Sequence, residues 1–344
     1  MRKILVSAFL IFLVFSAYSQ EKSGPKFSGL MFGDYFYNAA AHDSAKKNFN
    51  GFQFRRIYIT TDYTISEKFT TRFRLEADQG EITNNGKITT MVKDAWLKWK
   101  DIFSGSDLVF GISPTPAYDV SEGAWGHRYL EKTIMDLEGI VPSRDLGVDL
   151  KGKLSESGSV KYWLKLGNGS GNAPEVNKDK TVYGLVEFNP SPELLITAYG
   201  EYSSQPQTAN KKDDNIVVGA GFINYRQKGK FSIGVEGFLK SQQNKYTPPN
   251  GTLGSQTGFG LSIWAFANLS EKAQIVGRFD TYDPNTNSNS NMDAKNLILA
   301  GLQFNPVEHV SVTPNVEVVT YQADSPNGGD KSDVVPRLTF YWEF

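Results

Sequence analysis

Four ionisable side chains recur at every second position between Phe69 and Asp78. Arg72, Arg74, Glu76 and Asp78 stand on one side, with Thr71, Phe73, Leu75 and Ala77 on the other. Successive side chains of an extended chain point to opposite faces, so the four charges share a face. That face requires water, and the other requires something apolar. The same alternation puts Arg56, Asp94, Lys98, Asp149, Lys151, Lys161 and Lys165 on faces of the same kind. A second charged group, Asp119, Glu122, His127, Arg128, Glu131 and Lys132, with Arg144 just beyond, lies in a stretch without strand periodicity. Charged side chains lining a water path replace part of a solute's hydration and sort ions by their field. Here both signs occur. Arg278 and Arg337 add to the cations, and Asp62, Glu187, Glu201, Glu236, Asp280, Glu317 and Glu343 to the carboxylates. A mixed ring partly cancels its own field and favours dipolar or neutral solutes.

Other chemistry finds little support. The three histidines, His42, His127 and His309, are far apart, and His42-Asp43-Ser44 is a triad by letters only, because adjacent residues cannot line up base, orienter and nucleophile. Cysteine is absent, which excludes disulfides and thiolate metal sites. The asparagine-rich run from Asp283 has Ser288 where a calcium loop needs glycine, and Ala294 where it needs a bidentate glutamate. A net charge of −1 gives no electrostatic case for nucleic acid. No catalytic, cofactor or metal site is expected.

The charges must be held by strands. Alternating segments of about ten residues begin near Phe27, Gly51, Phe69, Ile88, Ser106, Arg144, Gly158, Thr181, Leu194, Asn215, Lys230, Gly258, Lys272, Lys295, His309 and Val334. Connections alternate in length. Ser66-Glu67-Lys68 and Asn189-Pro190-Ser191-Pro192 are tight, whereas 38–50, 79–87, 169–179, 203–214, 241–255, 283–293 and 322–333 are long and polar. Short periplasmic turns and long extracellular loops alternate in this way in outer-membrane barrels. In hydrocarbon every backbone N–H and C=O must be paired, so the sheet has to close, the first strand against the last. The prediction is an all-β, transmembrane, antiparallel barrel of about sixteen strands. Tyr63, Trp99, Phe188, Tyr202 and Trp342 would form interfacial girdles. Phe344, ending a strand with Leu338, Phe340 and Trp342 on its apolar face, resembles the signal by which the barrel assembly machinery receives such chains.

The third long connection, Pro114 to Ser143, is too long for an ordinary loop. Leu130, Ile134 and Leu137 fall on one face of a short helix, which Gly139 and Pro142 would stop. Residues 115–143 are therefore expected either to pack inside the barrel as a constriction loop or to form a long external loop with one helical turn. At the other end of the chain, Arg2 and Lys3 precede the apolar run Ile4–Phe15 and the small-x-small site Ala17-Tyr18-Ser19. This predicts a signal peptide over 1–19 and a barrel over 20–344.

Several motifs resemble the phosphate-selective porin O and P family: Phe52-Gln53-Phe54-Arg55-Arg56-Ile57-Tyr58, Asp94-Ala95-Trp96-Leu97, Phe110-Gly111-Ile112-Ser113-Pro114-Thr115-Pro116, Arg128-Tyr129-Leu130-Glu131, Ser143-Arg144-Asp145-Leu146-Gly147-Val148 and Lys165-Leu166-Gly167-Asn168-Gly169. The likeness runs from about Gly51 to Gly169. It implies a sixteen-stranded, trimeric channel in the outer membrane of a Gram-negative bacterium, with its third loop folded inward. The family's phosphate preference goes with a dense ladder of lumenal cations, from which the mixed charges here depart. Small hydrophilic solutes or ions are the expected cargo. Arg128, Glu131 and Lys132 are expected in their path, facing Arg72, Arg74 and Lys98.

Overall fold

The computed structural model describes residues 24–82, 86–206, 213–246, 254–286, 293–322 and 332–344. The predicted signal peptide and the middle parts of several long loops lie outside these. Sixteen antiparallel strands form one closed barrel, each paired with its neighbour in sequence and β1 paired with β16. The strands are β1 (Lys26–Tyr37), β2 (Asn50–Thr64), β3 (Phe69–Ile82), β4 (Ile88–Phe103), β5 (Ser106–Pro114), β6 (Arg144–Lys153), β7 (Val160–Gly167), β8 (Thr181–Phe188), β9 (Leu194–Ser203), β10 (Ile216–Gln227), β11 (Phe231–Tyr246), β12 (Gly254–Asn268), β13 (Ala273–Asp283), β14 (Lys295–Val307), β15 (Val310–Tyr321) and β16 (Asp333–Glu343).

Exposure shows which face is which. On β7, Leu164 is 51% exposed while its neighbours Trp163 and Lys165 are 6% and 2%. Phe73, Phe110, Leu166, Ile223, Leu239, Ile263 and Ile298 likewise stand outside, whereas Glu76, Asp149, Glu236, Arg278 and Asp280 are buried within. The apolar side is thus the exterior and the ionic side the interior, the reverse of a soluble sandwich.

The seam runs from Leu30 opposite Glu343 to Phe36 opposite Arg337. The Phe344 amide donates to the Gly29 carbonyl (3.0 Å), and the Gly29 amide donates back (2.9 Å). A side chain at Gly29 would strike the Phe344 ring, so glycine here makes room for that aromatic.

Several pairings carry irregularities, and two bulges lie beside the charged face of β3. On β2, Phe32 of β1 faces Arg56 and Gly33 faces Phe54, so Arg55 is an extra residue. On β4, Arg74 of β3 faces Asp94 and Leu75 faces Val92, so Lys93 is extra. A bulge sets two residues against one and re-aims a side chain. Arg55 joins Arg56 inside, and Lys93 joins Asp94, without turning the rest of either strand over. The bulges flank the regular charged face of β3.

Candidate functional site

Residues 115–143 fold into the barrel, and the external-loop alternative is not what forms. Helix α1 spans Asp119–Trp125 and α2 spans Ile134–Leu137. One helix through Leu130, Ile134 and Leu137 does not form, and α1 lies earlier than the spacing suggests. Gly126, at φ 66°, ends α1. Three successive carbonyls are then taken by side chains: Leu130 by Arg55 Nη1 (2.5 Å), Glu131 by Trp125 Nε1 (2.9 Å) and Lys132 by Arg278. A helix would need those carbonyls for amides four residues on. From Thr133 they are free again, and Leu137 and Glu138 donate back to Thr133 and Ile134.

One side of this loop is apolar. Ala117, Tyr118, Ile134, Met135, Ile140 and Val141 pack on Trp163, Tyr183, Leu185, Tyr199, Val218 and Phe238, from β7 to β11. Trp125, Tyr129 and Leu130 pack on Phe32, Phe222, Trp264, Val276, Leu297 and Leu299. Trp125, Leu130, Ile134 and Met135 are fully buried. Polar bonds pin the edges: Ser121 to Glu236 (2.8 Å), Tyr129 to Gln303 (2.5 Å), Lys240 to the Ile140 carbonyl (3.1 Å) and Lys295 to Glu138 (2.9 Å). His127 sits with its ring nitrogens 2.7 Å from the Trp125 carbonyl and 2.5 Å from the Gln274 side chain. Burial holds its pKa below the ordinary histidine value despite these partners.

The other side meets a charged wall. Arg56 and Lys93 both pair with Glu76, the latter at 2.7 Å. Arg74 and Arg144 share Asp94, at 3.4 and 2.5 Å, and Arg72 grips Asp62 through Nε (2.7 Å) and Nη2 (2.9 Å). That makes five cations against three carboxylates. Arg74 lies over the Tyr58 ring (4.9 Å) and Arg72 over Trp96 (5.6 Å). Across from them Arg128 bridges Glu122 (2.7 Å) and Asp136 (2.8 Å), its side chain 16% exposed. Lys132 lies 4.0 Å from Asp136, and Asp119 is exposed.

Glu131 does not face this space, contrary to expectation. It is 6% exposed, bonded to Arg55 Nη2 at 2.7 Å, because the β2 bulge brings Arg55 under the loop. Arg55 also lies 3.9 Å from Asp34, and Arg337 reaches Asp34 (3.2 Å) and Glu317 (3.8 Å). Burial works to raise the Glu131 pKa, but the Arg55 charge outweighs it and holds the carboxyl below its ordinary range.

The remaining wall residues divide. Asp149 and Lys165 point inward but form a fully buried pair (3.1 Å) beneath the loop, with Ser113 bonded to both. Lys98 lies near Asp107 (3.6 Å), Lys161 pairs with Glu187 (2.6 Å) and Lys151 stands 4.0 Å over Trp163. At the end of the barrel carrying the short turns, two cavities open beneath the loop. One, of about 630 Å³, is lined by Tyr58, Arg74, Asp119, Arg128 and Tyr341. The other, of about 450 Å³, is lined by Asp119, Lys151, Lys161 and Trp163. Among the described residues no cluster of metal-ligating side chains occurs. His42 bonds Asp333 (2.9 Å) while Asp43 caps a short turn through the Ala45 amide (3.0 Å), so the His42-Asp43-Ser44 run forms no relay.

Arg55 and Lys93 are charged residues that alternation did not assign inward, and Asp34, Asp145, Lys240 and Lys295 also turn inward without having been singled out. The tandem arginine and the cation breaking the apolar face of β4 were the signals available. The apolar anchors Trp125, Trp264 and Phe238 carried no signal beyond ordinary strand or helix packing.

These features define a porin-type barrel, sixteen strands closed around an inward-folded loop. No protein-family model matches the chain, and no curated protein aligns with it. Solved structures do match it in fold. The outer membrane channel DcaP of Acinetobacter baumannii superposes with a TM-score of 0.68 at 9% identity, over 93% of this chain and 97% of that one. An anion-selective porin from Comamonas acidovorans gives 0.65 at 11%, over 93% and 99%. OmpT of Vibrio cholerae, in its trimer form, gives 0.59 at 13%, over 92% and 99%. The likeness is to the porin fold at large, and the narrower resemblance to the phosphate-selective O and P family gains no support from it.

Proposed function

We propose that this protein is a passive channel of a Gram-negative outer membrane, exported by a signal peptide cleaved near Ser19 and passing small hydrophilic solutes down their gradient. The observation that carries this reading is the inverted barrel. Its exterior is apolar and its sheet closes without a free edge, as lipid demands, while its interior is ionic. Solute would pass between the loop and the wall of β2–β4, past Arg128 on one side and Arg72, Arg74 and Arg144 on the other. The loop sets the narrowest point. Homotrimer formation, as in the trimer form of OmpT, and delivery through the Phe344 strand to the barrel assembly machinery complete the proposal.

A preference for anions is the second reading, supported by the ion pairs of this wall, in which Arg56, Arg72, Arg74, Lys93 and, from β6, Arg144 meet Asp62, Glu76 and Asp94. Phosphate selectivity is not carried over, because the lumenal charges are of both signs rather than a dense ladder of cations. Planar-bilayer recording tests all of this. Measurable conductance supports a channel, whereas none at any voltage makes the barrel a plugged structural or receptor protein. Reversal potentials in a salt gradient decide between weak selectivity and anion preference. The double variant Arg72→Glu, Arg74→Glu should move the reversal potential toward cations; an unmoved potential removes these side chains from the path.

A further inference from the structure

We propose that the cavity of about 630 Å³ beneath the loop is a binding site for small zwitterions carrying an apolar or aromatic group, such as α-amino acids and dipeptides. The inference rests on the channel reading for its biological sense but not for its chemistry. The volume lies in the range of small-molecule sites, and the lining joins aromatic rings to a few polar groups, as such sites do.

Opposite charges stand on two sides of it with capacity to spare. On the barrel wall, Arg74 donates Nε to Thr60 (2.8 Å), and its Nη1 stands 3.4 Å from Asp94 as an ion pair. Its Nη2 makes no bond among the described residues, which leaves a charged donor for a carboxylate. On the loop, Asp119 is exposed on the first turn of α1 and forms no ion pair among the described residues, which leaves an acceptor for an ammonium. Neither group suits the other's ligand. A simple anion would meet Asp119, and Arg128 cannot compensate because Glu122 and Asp136 already neutralise it. A simple cation would gain Asp119 and Glu343, which also lines the cavity, but would meet Arg74. A molecule bearing both charges satisfies both.

The third requirement is a place for the side chain. Tyr129 from the loop and Tyr341 from β16 bring their rings to 5.1 Å, and Tyr58 stands under Arg74 at 4.9 Å. Apolar or ring-bearing groups gain from such faces, and a polyol of similar size has no use for the separated charges.

Titration calorimetry of the detergent-folded full chain tests this apart from transport. Phenylalanine should bind saturably. 3-Phenylpropionate, which lacks the ammonium, and phenethylamine, which lacks the carboxylate, should each bind roughly tenfold more weakly. Glucose should show no saturation. Asp119→Asn, at an exposed position, should cost phenylalanine about tenfold and leave 3-phenylpropionate unchanged. Equal binding of phenylalanine and 3-phenylpropionate would make this an anion site, saturable glucose would make it a sugar site, and no saturable binding would leave it a vestibule; each overturns the inference. Binding in a barrel that does not conduct would sink the channel reading and leave this one standing. Conductance without binding would do the opposite.

Discussion

The loop presents two different surfaces to the same barrel. Toward β7–β14 it offers Trp125, Leu130, Ile134 and Met135, all buried and met by apolar side chains. Toward β2–β4 it offers Arg128, Glu122, Asp136 and Asp119, facing a wall of paired ions. The first surface excludes water and gains free energy by doing so. The second keeps its charges paired with one another, only Asp119 being exposed and Glu122 about a third so. One side thus holds the loop in place, while the other is the side that the proposed channel reading assigns to solutes.

The strongest way to break this division is to remove the apolar anchor. Trp125→Ala should cost about 3–5 kcal/mol of packing, enough to release the loop. Single-channel conductance should rise, and limited proteolysis should cut within 115–143. An unchanged conductance would mean the polar pins alone suffice. Next in size is Arg55→Ala, which leaves Glu131 and Asp34 buried with less compensation, at about 3 kcal/mol. It should raise loop proteolysis while leaving the barrel intact, and Arg55→Lys should restore part of the loss. An Arg55→Ala loop as protected as the parent's would place the anchor wholly on the apolar side.

Acid should give a smaller and graded effect. The docked His127 resists protonation that the free imidazole accepts near about pH 6.5, so docking weakens as pH falls below that value. Glu131 has a depressed docked pKa, so its contribution is present above the ordinary carboxylate range and is lost as pH falls through and below it. Current noise from loop excursions should therefore grow in two stages on acidification. His127→Gln should remove the first stage; if it persists in that variant, another group governs the neutral range.

The fold was readable because its rule is simple. All sixteen predicted strand starts lie within four residues of the observed ones. Lipid outside and water inside force an alternation that survives in single residues such as Arg72, Phe73 and Arg74. The site was readable only where alternation holds. Arg55 and Lys93 escaped it because a bulge puts two successive residues on one face, and that depends on register with the neighbouring strand. Glu131 was misplaced for the same reason, its partner being the bulged arginine. The missing helix through Leu130 had a different cause. Arg55, Trp125 and Arg278 compete for the carbonyls of 130–132, and two of these three lie far away in sequence.

The bulges also bear on how such a wall can change over time. Deleting Arg55 alone would restore plain pleating to β2, subtract one lumenal charge and leave every other side chain of that strand facing as before. The same holds for Lys93 on β4. A single-codon insertion or deletion usually turns every later side chain of a strand to the other face, yet at these two positions it would change lumenal charge and the pairing of Glu131 or Glu76 while every neighbour keeps its facing.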